Sequence, residues 1–448
     1  MVRFLKKIAS FLQWLLPAPF TLAVLLVLLV YVAAVFTAPA ENPWWHRLTD
    51  PLAFFESGMW SLLSFAGQMM LMLVLGYVVA LSDIVHRLID YLSASLKTTA
   101  QAVWAIAFFT LSLSFINWAL GLIFGAVLTR EIAIRFSQRG KSFNYPLMAA
   151  AGYSGLMVWH GGLSGSAPLK IAEQGHFLEN KMGVIDVGQT IFSSMNMVVA
   201  FVLLVAVPLF LWWLAVYDKG TVYFLQKEKT ESLAHGNHLI KGAERLTYSR
   251  LFTWMLVAFL VVMLFRKIID NPLSSVFTIN FINLILLTLA LMTQKRIGYF
   301  LKAVDKAMVS TAGILIQFPI YAGIMGMMKY SGLIDLITEK LIALASPQSF
   351  DFFVFLSAAI VNFVVPSGGG QWIVQGEIIA DAAQQLHVPF AHAVMAFAYG
   401  DQLTNMLQPF WALPLLGITG LKAKQIFPYT FLLMLVGFVV FSLALWVF

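Results

Sequence analysis

Four stretches of the 448-residue chain place glycine, proline and polar side chains where long apolar runs would otherwise continue. The first is Asn117 to Gly125, containing Asn117, Trp118 and Gly121. The second is Trp159 to Pro168, containing Trp159, His160, Gly161, Gly162, Ser164, Gly165 and Ser166. The third is Pro366 to Gln371, containing Pro366, Ser367, Gly368, Gly369, Gly370 and Gln371, with Asn362 just before it. The fourth is Asp401 to Pro409, containing Asp401, Gln402, Thr404, Asn405 and Gln408. In hydrocarbon a broken helix survives only where protein or a water-filled cavity surrounds it, so the four should converge on one cavity. The start of a helix carries roughly half a positive charge and several unpaired N–H donors, which suits a small anion. Glycine lets a ligand approach that backbone, and Ser166 and Ser367 add hydroxyl donors. None of the four stretches contains Lys or Arg. The expected substrate site is therefore built from dipoles and neutral donors, using the residues named in the first three stretches together with Asn362 and Gln408.

Asp401 is a different kind of residue. A carboxylate inside an apolar run is expensive unless it is paired or hydrated, which makes it a functional candidate by default. It is read as a proton carrier or a ligand for a coupling cation, assisted by Gln402, Thr404 and Asn405. No other metal site is expected, and Na⁺ would bind only at these four residues. His160 reads equally well as a pH-sensitive gate or substrate donor and as a buried structural histidine. A lone glycine in a membrane helix most often serves close packing. Three consecutive glycines after Pro366, by contrast, would destabilise a continuous helix by several kcal/mol, roughly 1 kcal/mol for each glycine and more for proline. Enzyme signals are weak. Gly162-Leu163-Ser164-Gly165-Ser166 has no strand before it and no His and acid partners in the expected order, and there is no HExxH. With no Cys, thiolate metal sites, disulfides and Cys nucleophiles are excluded.

The elements that hold these residues must be membrane helices. The chain is 60% hydrophobic and 11% charged, with a mean hydropathy of +0.84; a soluble domain carries about 25% charged residues. Windows long enough to cross the hydrocarbon core are Ala18–Phe36, Gly58–Leu81, Gln189–Val216, Leu251–Phe265, Ser275–Met292, Thr311–Met328 and Tyr429–Val447. Two further regions, about 145–171 and 391–420, are long enough but interrupted. Two more, about 101–136 and 351–385, hold a pair of shorter apolar segments each. Treating those pairs as hairpins that enter and leave on one side puts 21 of the basic residues inside and 7 outside, the bias that the positive-inside rule expects. A single crossing at 101–136 destroys the bias. The halves also repeat: Asn117 and Gly125 align with Asn362 and Gly370 at a shift of 245, Glu131 with Glu377 at 246, Met148 with Met395 at 247 and Pro168 with Pro414 at 246.

The predicted fold is an all-α polytopic membrane protein of two inverted repeats, with about nine transmembrane crossings, two re-entrant hairpins and two broken helices. Residues 1–217 form the first repeat and 274–448 the second. Between them, 218–273 supply a cytoplasmic loop and a linking transmembrane helix. The N-terminus is placed in the cytoplasm and the C-terminus in the periplasm. The charge of +7 then sets orientation, and with no basic block or tail no nucleic-acid partner is expected.

The C-terminal half resembles the bacterial short-chain fatty acid transporter family through the runs Ser310 to Ile324, Asn362 to Trp372, Ala398 to Gln402 and Gln408 to Pro414. The N-terminal half agrees at Ile116-Asn117-Trp118 and at Gly161 to Ser166. The resemblance implies inner-membrane uptake of small monocarboxylates such as butyrate or acetoacetate. It also implies a place in the wider ion-transporter superfamily, whose members carry inverted repeats with re-entrant hairpins and often act as homodimers by an elevator motion. The expected activity is secondary active transport by symport with H⁺ or Na⁺, and no cofactor. Carriage of another organic anion (a hydroxy acid or dicarboxylate) or an anion channel are the alternatives.

Overall fold

The computed structural model describes residues 19–37, 43–61, 63–217, 225, 242–270, 276, 279–308, 311–365 and 368–448. Pro366 and Ser367, two residues of the expected site, lie outside the described residues, as does most of the loop 218–241. Among the described residues the regular structure is entirely helical. The first part of the chain runs α1 (Pro19–Thr37), α2 (Trp44–Met59), α3 (Leu63–Ala80), α4 (Asp83–Ala94), α5 (Thr99–Ile116), α6 (Trp118–Gln138), α7 (Tyr145–Tyr153), α8 (Ser166–Ile171), α9 (Glu179–Met182) and α10 (Ser194–Tyr217). After the loop come α11 (Glu244–Thr247), α12 (Arg250–Asp270), α13 (Ile279–Gln294), α14 (Ile297–Met308) and α15 (Ala312–Tyr330). The chain ends with α16 (Leu333–Ile342), α17 (Phe350–Val364), α18 (Gly368–Leu386), α19 (Phe390–Thr404), α20 (Pro409–Thr419) and α21 (Ala423–Val447).

Two of these pairs are helical hairpins, and the close contacts prove the reversal. In a straight helix, residues 114 and 121 would stand about 10 Å apart along the axis. Instead, a Cβ on Gly121 would lie 2.6 Å from the backbone nitrogen of Ser114, and one on Gly125 would lie 2.5 Å from Thr110 Oγ1. The second hairpin closes in the same way: Gln371 Nε2 donates to the Ala358 carbonyl at 2.8 Å and Gln375 Nε2 to Ser357 Oγ at 3.0 Å. The two broken helices also share a form. Each runs from α-helix into a 3₁₀ turn (Ser154–Met157 and Asn405–Leu407); a second α-helix follows after the irregular residues 158–165 in the first and directly after the extended Gln408 in the second.

Some expected spans differ in detail. The window 58–81 is not one helix, because α2 ends at Met59 and α3 begins at Leu63. Gly58 belongs to α2, where it crosses α15: a Cβ there would meet the Ala322 carbonyl oxygen at 2.5 Å and Gly326 Cα at 2.6 Å. The contact demands glycine on both helices. Four described helices are long and apolar enough to cross a membrane unaided, α5, α10, α12 and α21, and up to six spans result if each bent pair counts as one. The first hairpin limb, α5, is thus longer than its sequence suggested, at about 27 Å. The outer faces of α10 and α12 expose Phe201, Leu209, Leu251, Phe259 and Val262, which only a lipid environment makes tolerable over so wide a surface.

The helices pack reciprocally. α15 lies against α1 and α2, while α3 lies against α13 and α14; α6 packs on α20, and α18 packs on α8. Each hairpin therefore leans its second limb on the short helix that follows the other half's break. This exchange brings four distant sequence stretches to one place.

Candidate functional site

The first hairpin tip is built around Asn117. Its extended backbone ends α5, and its side-chain oxygen accepts from the Ala119 and Leu120 N–H groups at 3.1 and 3.0 Å, capping α6. The Gly121 N–H donates to the Asn117 carbonyl at 3.0 Å, and the Trp118 N–H donates to Ser164 Oγ at 3.0 Å. The amides expected to greet an anion here are already satisfied, one of them by a serine of the first broken helix. Asn117 and Ser164 thus hold the tip rather than leave it bare. Gly121 faces Ser114 inside the hairpin, where it permits helix contact.

The two breaks meet at His160 and Asp401. Both are fully buried, and His160 Nδ1 stands 2.6 Å from Asp401 Oδ2. The Ala167 N–H, in the first turn of α8, donates to His160 Nε2 at 3.1 Å. An acceptor nitrogen carries no proton, so the ring is the Nδ1–H tautomer and donates to the carboxylate. The His160 N–H donates to Gln402 Oε1 at 3.0 Å. Asp401 Oδ1 is buried and has no hydrogen-bond partner. A buried, unpaired carboxylate oxygen is costly, and this one is the natural place for a proton or a cation.

The second hairpin closes over this pair. A Cβ on Gly368 would lie 2.8 Å from His160 Cε1 and 3.0 Å from both Ser166 Oγ and the Trp159 ring, and one on Gly369 would lie 3.4 Å from Ser166 Cβ. Here Gly368 is required by close approach of one break to the other hairpin's start, while Gly369 meets Ser166 at ordinary contact distance. Gly370 is half-buried in the same first turn, while Gln371 points back into its own hairpin at Ala358.

A third cluster joins Asn362 to the second break. Asn362 Nδ2 lies 2.6 Å from the Asp401 carbonyl oxygen, 2.9 Å from Asn405 Oδ1 and 3.0 Å from Thr404 Oγ1. Gln408 Nε2 donates to the Asn362 carbonyl. Of the four residues read as a coupling set, Asp401 and Gln402 face His160, while Thr404 and Asn405 face Asn362. They divide into two neighbouring groups rather than one shell. Gly161, Gly162 and Gly165 are fixed by contacts to Asn196, the Phe115 carbonyl and the His160 carbonyl, all closer than a side chain would allow.

Sequence reading did not single out several residues that complete the site. Asn196 Nδ2 donates to the Gly161 carbonyl at 2.7 Å, and Tyr399 OH reaches Asn196 Oδ1 at 3.1 Å. Tyr153 OH donates to the Asn405 carbonyl at 2.7 Å, joining the two breaks. Trp411 forms a triangle of indoles with Trp118 and Trp159, at centroid distances of 5.1 and 6.2 Å. The indole N–H groups of Trp159 and Trp411 are buried without partners. Only an intramembrane position marks such residues in the sequence, and many packing residues share it. Glu377, in contrast, is exposed and pairs with Lys181 at 3.9 Å, as expected of a solvated acid.

The chain matches the family profile described as short chain fatty acid transporter over residues 1–448. A curated Escherichia coli (strain K12) relative is 37% identical over 449 residues, covering 100% of this chain and 99% of its own. A Haemophilus influenzae (strain Rd) relative is 35% identical over 427 residues, covering 93% of each chain. Both are named, provisionally, as short-chain fatty acid transporters. Among solved structures, the Alcanivorax borkumensis YdaH transporter aligns over 95% of this chain and 98% of its own, with a TM-score of 0.45 and 17% identity.

Proposed function

This chain belongs to the short-chain fatty acid transporter family, and we propose that it is a secondary carrier taking up small monocarboxylates such as butyrate or acetoacetate. It is an integral membrane protein of a transporter family, not an enzyme. The proposed setting is the bacterial inner membrane, with two inverted repeats, an inside N-terminus and alternating access at the meeting point of the breaks. The observation that carries the reading is the burial of the His160–Asp401 pair between both breaks, beneath the glycines that begin the second hairpin's return limb.

An anion entering a cell works against an inside-negative potential, at about 2.3 kcal/mol per charge per 100 mV. Concentrative uptake therefore requires a co-transported cation, H⁺ or Na⁺, and Asp401, with its unpartnered Oδ1, is the residue proposed to handle it. The four interrupted stretches hold no Lys or Arg to meet the second charge of a dicarboxylate. Each methylene of the cargo contributes about 0.8 kcal/mol, so chain-length preference over roughly two to six carbons should be graded. Purified protein in vesicles should accumulate labelled butyrate under an ion gradient, and unlabelled butyrate should compete at least about tenfold better than succinate, a difference of about 1.4 kcal/mol. Succinate competing better than butyrate would overturn the reading, as would equilibration without accumulation.

A further inference from the structure

Beside the second break, between α15 and the end of α17, lies a narrow crevice lined by Leu26, Tyr321, Phe363, Leu407, Pro409 and Phe410, with Gln408. Two of its lining residues carry buried polar atoms without partners, the Tyr321 hydroxyl and Gln408 Oε1. The orientation of the Gln408 amide follows from its neighbour, since Nε2 must face the Asn362 carbonyl to which it donates, which turns Oε1 away. The crevice thus offers one O–H donor and one obligate acceptor against apolar rings, Phe410 standing 5.3 Å from the Tyr321 ring. A carboxylate could use the first group but would be repelled by the second. A protonated carboxylic acid fits both, its carbonyl accepting from Tyr321 and its O–H donating to Gln408.

We propose that this crevice receives the carboxyl end of the cargo as the neutral acid. The inference rests on the transport reading above and names the form in which the cargo is held. The space is about that of one water, so the proposal requires its walls to part when cargo enters. No charged side chain lines it. Of the elements around it, α1 and α20 carry none, α15 carries Lys329 in its last turn, α17 carries Asp351 in its first, and α19 carries His392 and Asp401. Nothing at the crevice therefore balances an anion.

The test is equilibrium binding of labelled butyrate to the purified full-length protein at pH 6 and pH 8, with butyramide as the competing neutral isostere. Well above the ordinary carboxyl range of about 4–5, the neutral fraction falls tenfold per pH unit. The apparent Kd for butyrate should rise about 100-fold across this interval, and butyramide should displace the label. Tyr321→Phe, which keeps the ring, should weaken both ligands by about fivefold to tenfold, one hydrogen bond's worth. Flat affinity with inert butyramide would overturn the inference and leave the carrier reading standing. Unchanged binding in Tyr321→Phe would place the carboxyl elsewhere and assign the two wall groups to a bound water. If wild-type protein neither binds nor exchanges butyrate, the carrier reading fails and the inference goes with it.

Discussion

Asp401 and His160 stand 241 positions apart in the chain and 2.6 Å apart in the fold. The sequence marks each as an ionisable residue in an apolar setting, and that physical oddity is readable without a structure. Their pairing is not, because no local pattern encodes a contact between two broken helices. With Nε2 accepting from the Ala167 N–H, the His160 ring donates from Nδ1 to the carboxylate. Asp401→Asn tests the coupling role without losing that bond, since an asparagine oxygen still accepts from Nδ1–H. The variant should lose at least about tenfold in gradient-driven accumulation of butyrate, a loss of about 1.4 kcal/mol of driving force. Its counterflow exchange, which needs no net coupling, should change little. Measuring both in the same vesicles separates a coupling residue from a folding one, and gradient dependence like that of the wild type would clear Asp401.

At the scale of the elements, the breaks were legible because they are local chemistry. Asn117, Gly161-Gly162 and Gln408-Pro409 interrupt apolar runs, and each lies at a non-helical point or beside one. What the sequence could not tell was whether the freed amides stay free. Ser164 fills one of them from 46 residues away, and Asn117 fills two more itself, so the first tip is a locked structural joint. Glycine had the same ambiguity. Gly121, read as a site residue, is spaced so that its partner in the hairpin is Ser114, and a Cβ would meet both Ser114 Oγ at 1.9 Å and the backbone nitrogen at 2.6 Å. Gly121→Ala must push the limbs apart, an overpacking cost of about 1–3 kcal/mol. The double variant Gly121→Ala/Ser114→Ala should recover only part of it, because the backbone contact survives loss of the hydroxyl. Chemical denaturation in detergent micelles reads the difference; full recovery would mean that the side chain alone sets the spacing.

At the scale of the molecule, reciprocal packing joins each hairpin's return limb to the other half's broken helix, so the proposed cargo site has walls from both halves. In the carrier reading the cargo must leave a buried position, and the contact proposed to seal it is the approach of Gly368 and Gly369 to Ser166. That contact can be locked chemically. The Cβ–Cβ separation of 3.4 Å implied for Gly369 and Ser166 is close to the roughly 3.5–4.5 Å that a disulfide spans. The natural chain has no Cys to interfere. Ser166→Cys/Gly369→Cys should form a disulfide under mild oxidation and lose butyrate uptake by at least about tenfold, a barrier increase of about 1.4 kcal/mol; a reductant should restore it, and either single variant should be indifferent to oxidant. The result discriminates between two motions. If the seal must open, the crosslink stops transport. If the second hairpin and the first break travel together as one block and cargo escapes past another wall, the crosslinked protein keeps its rate, and the sealing role assigned to the glycines is wrong.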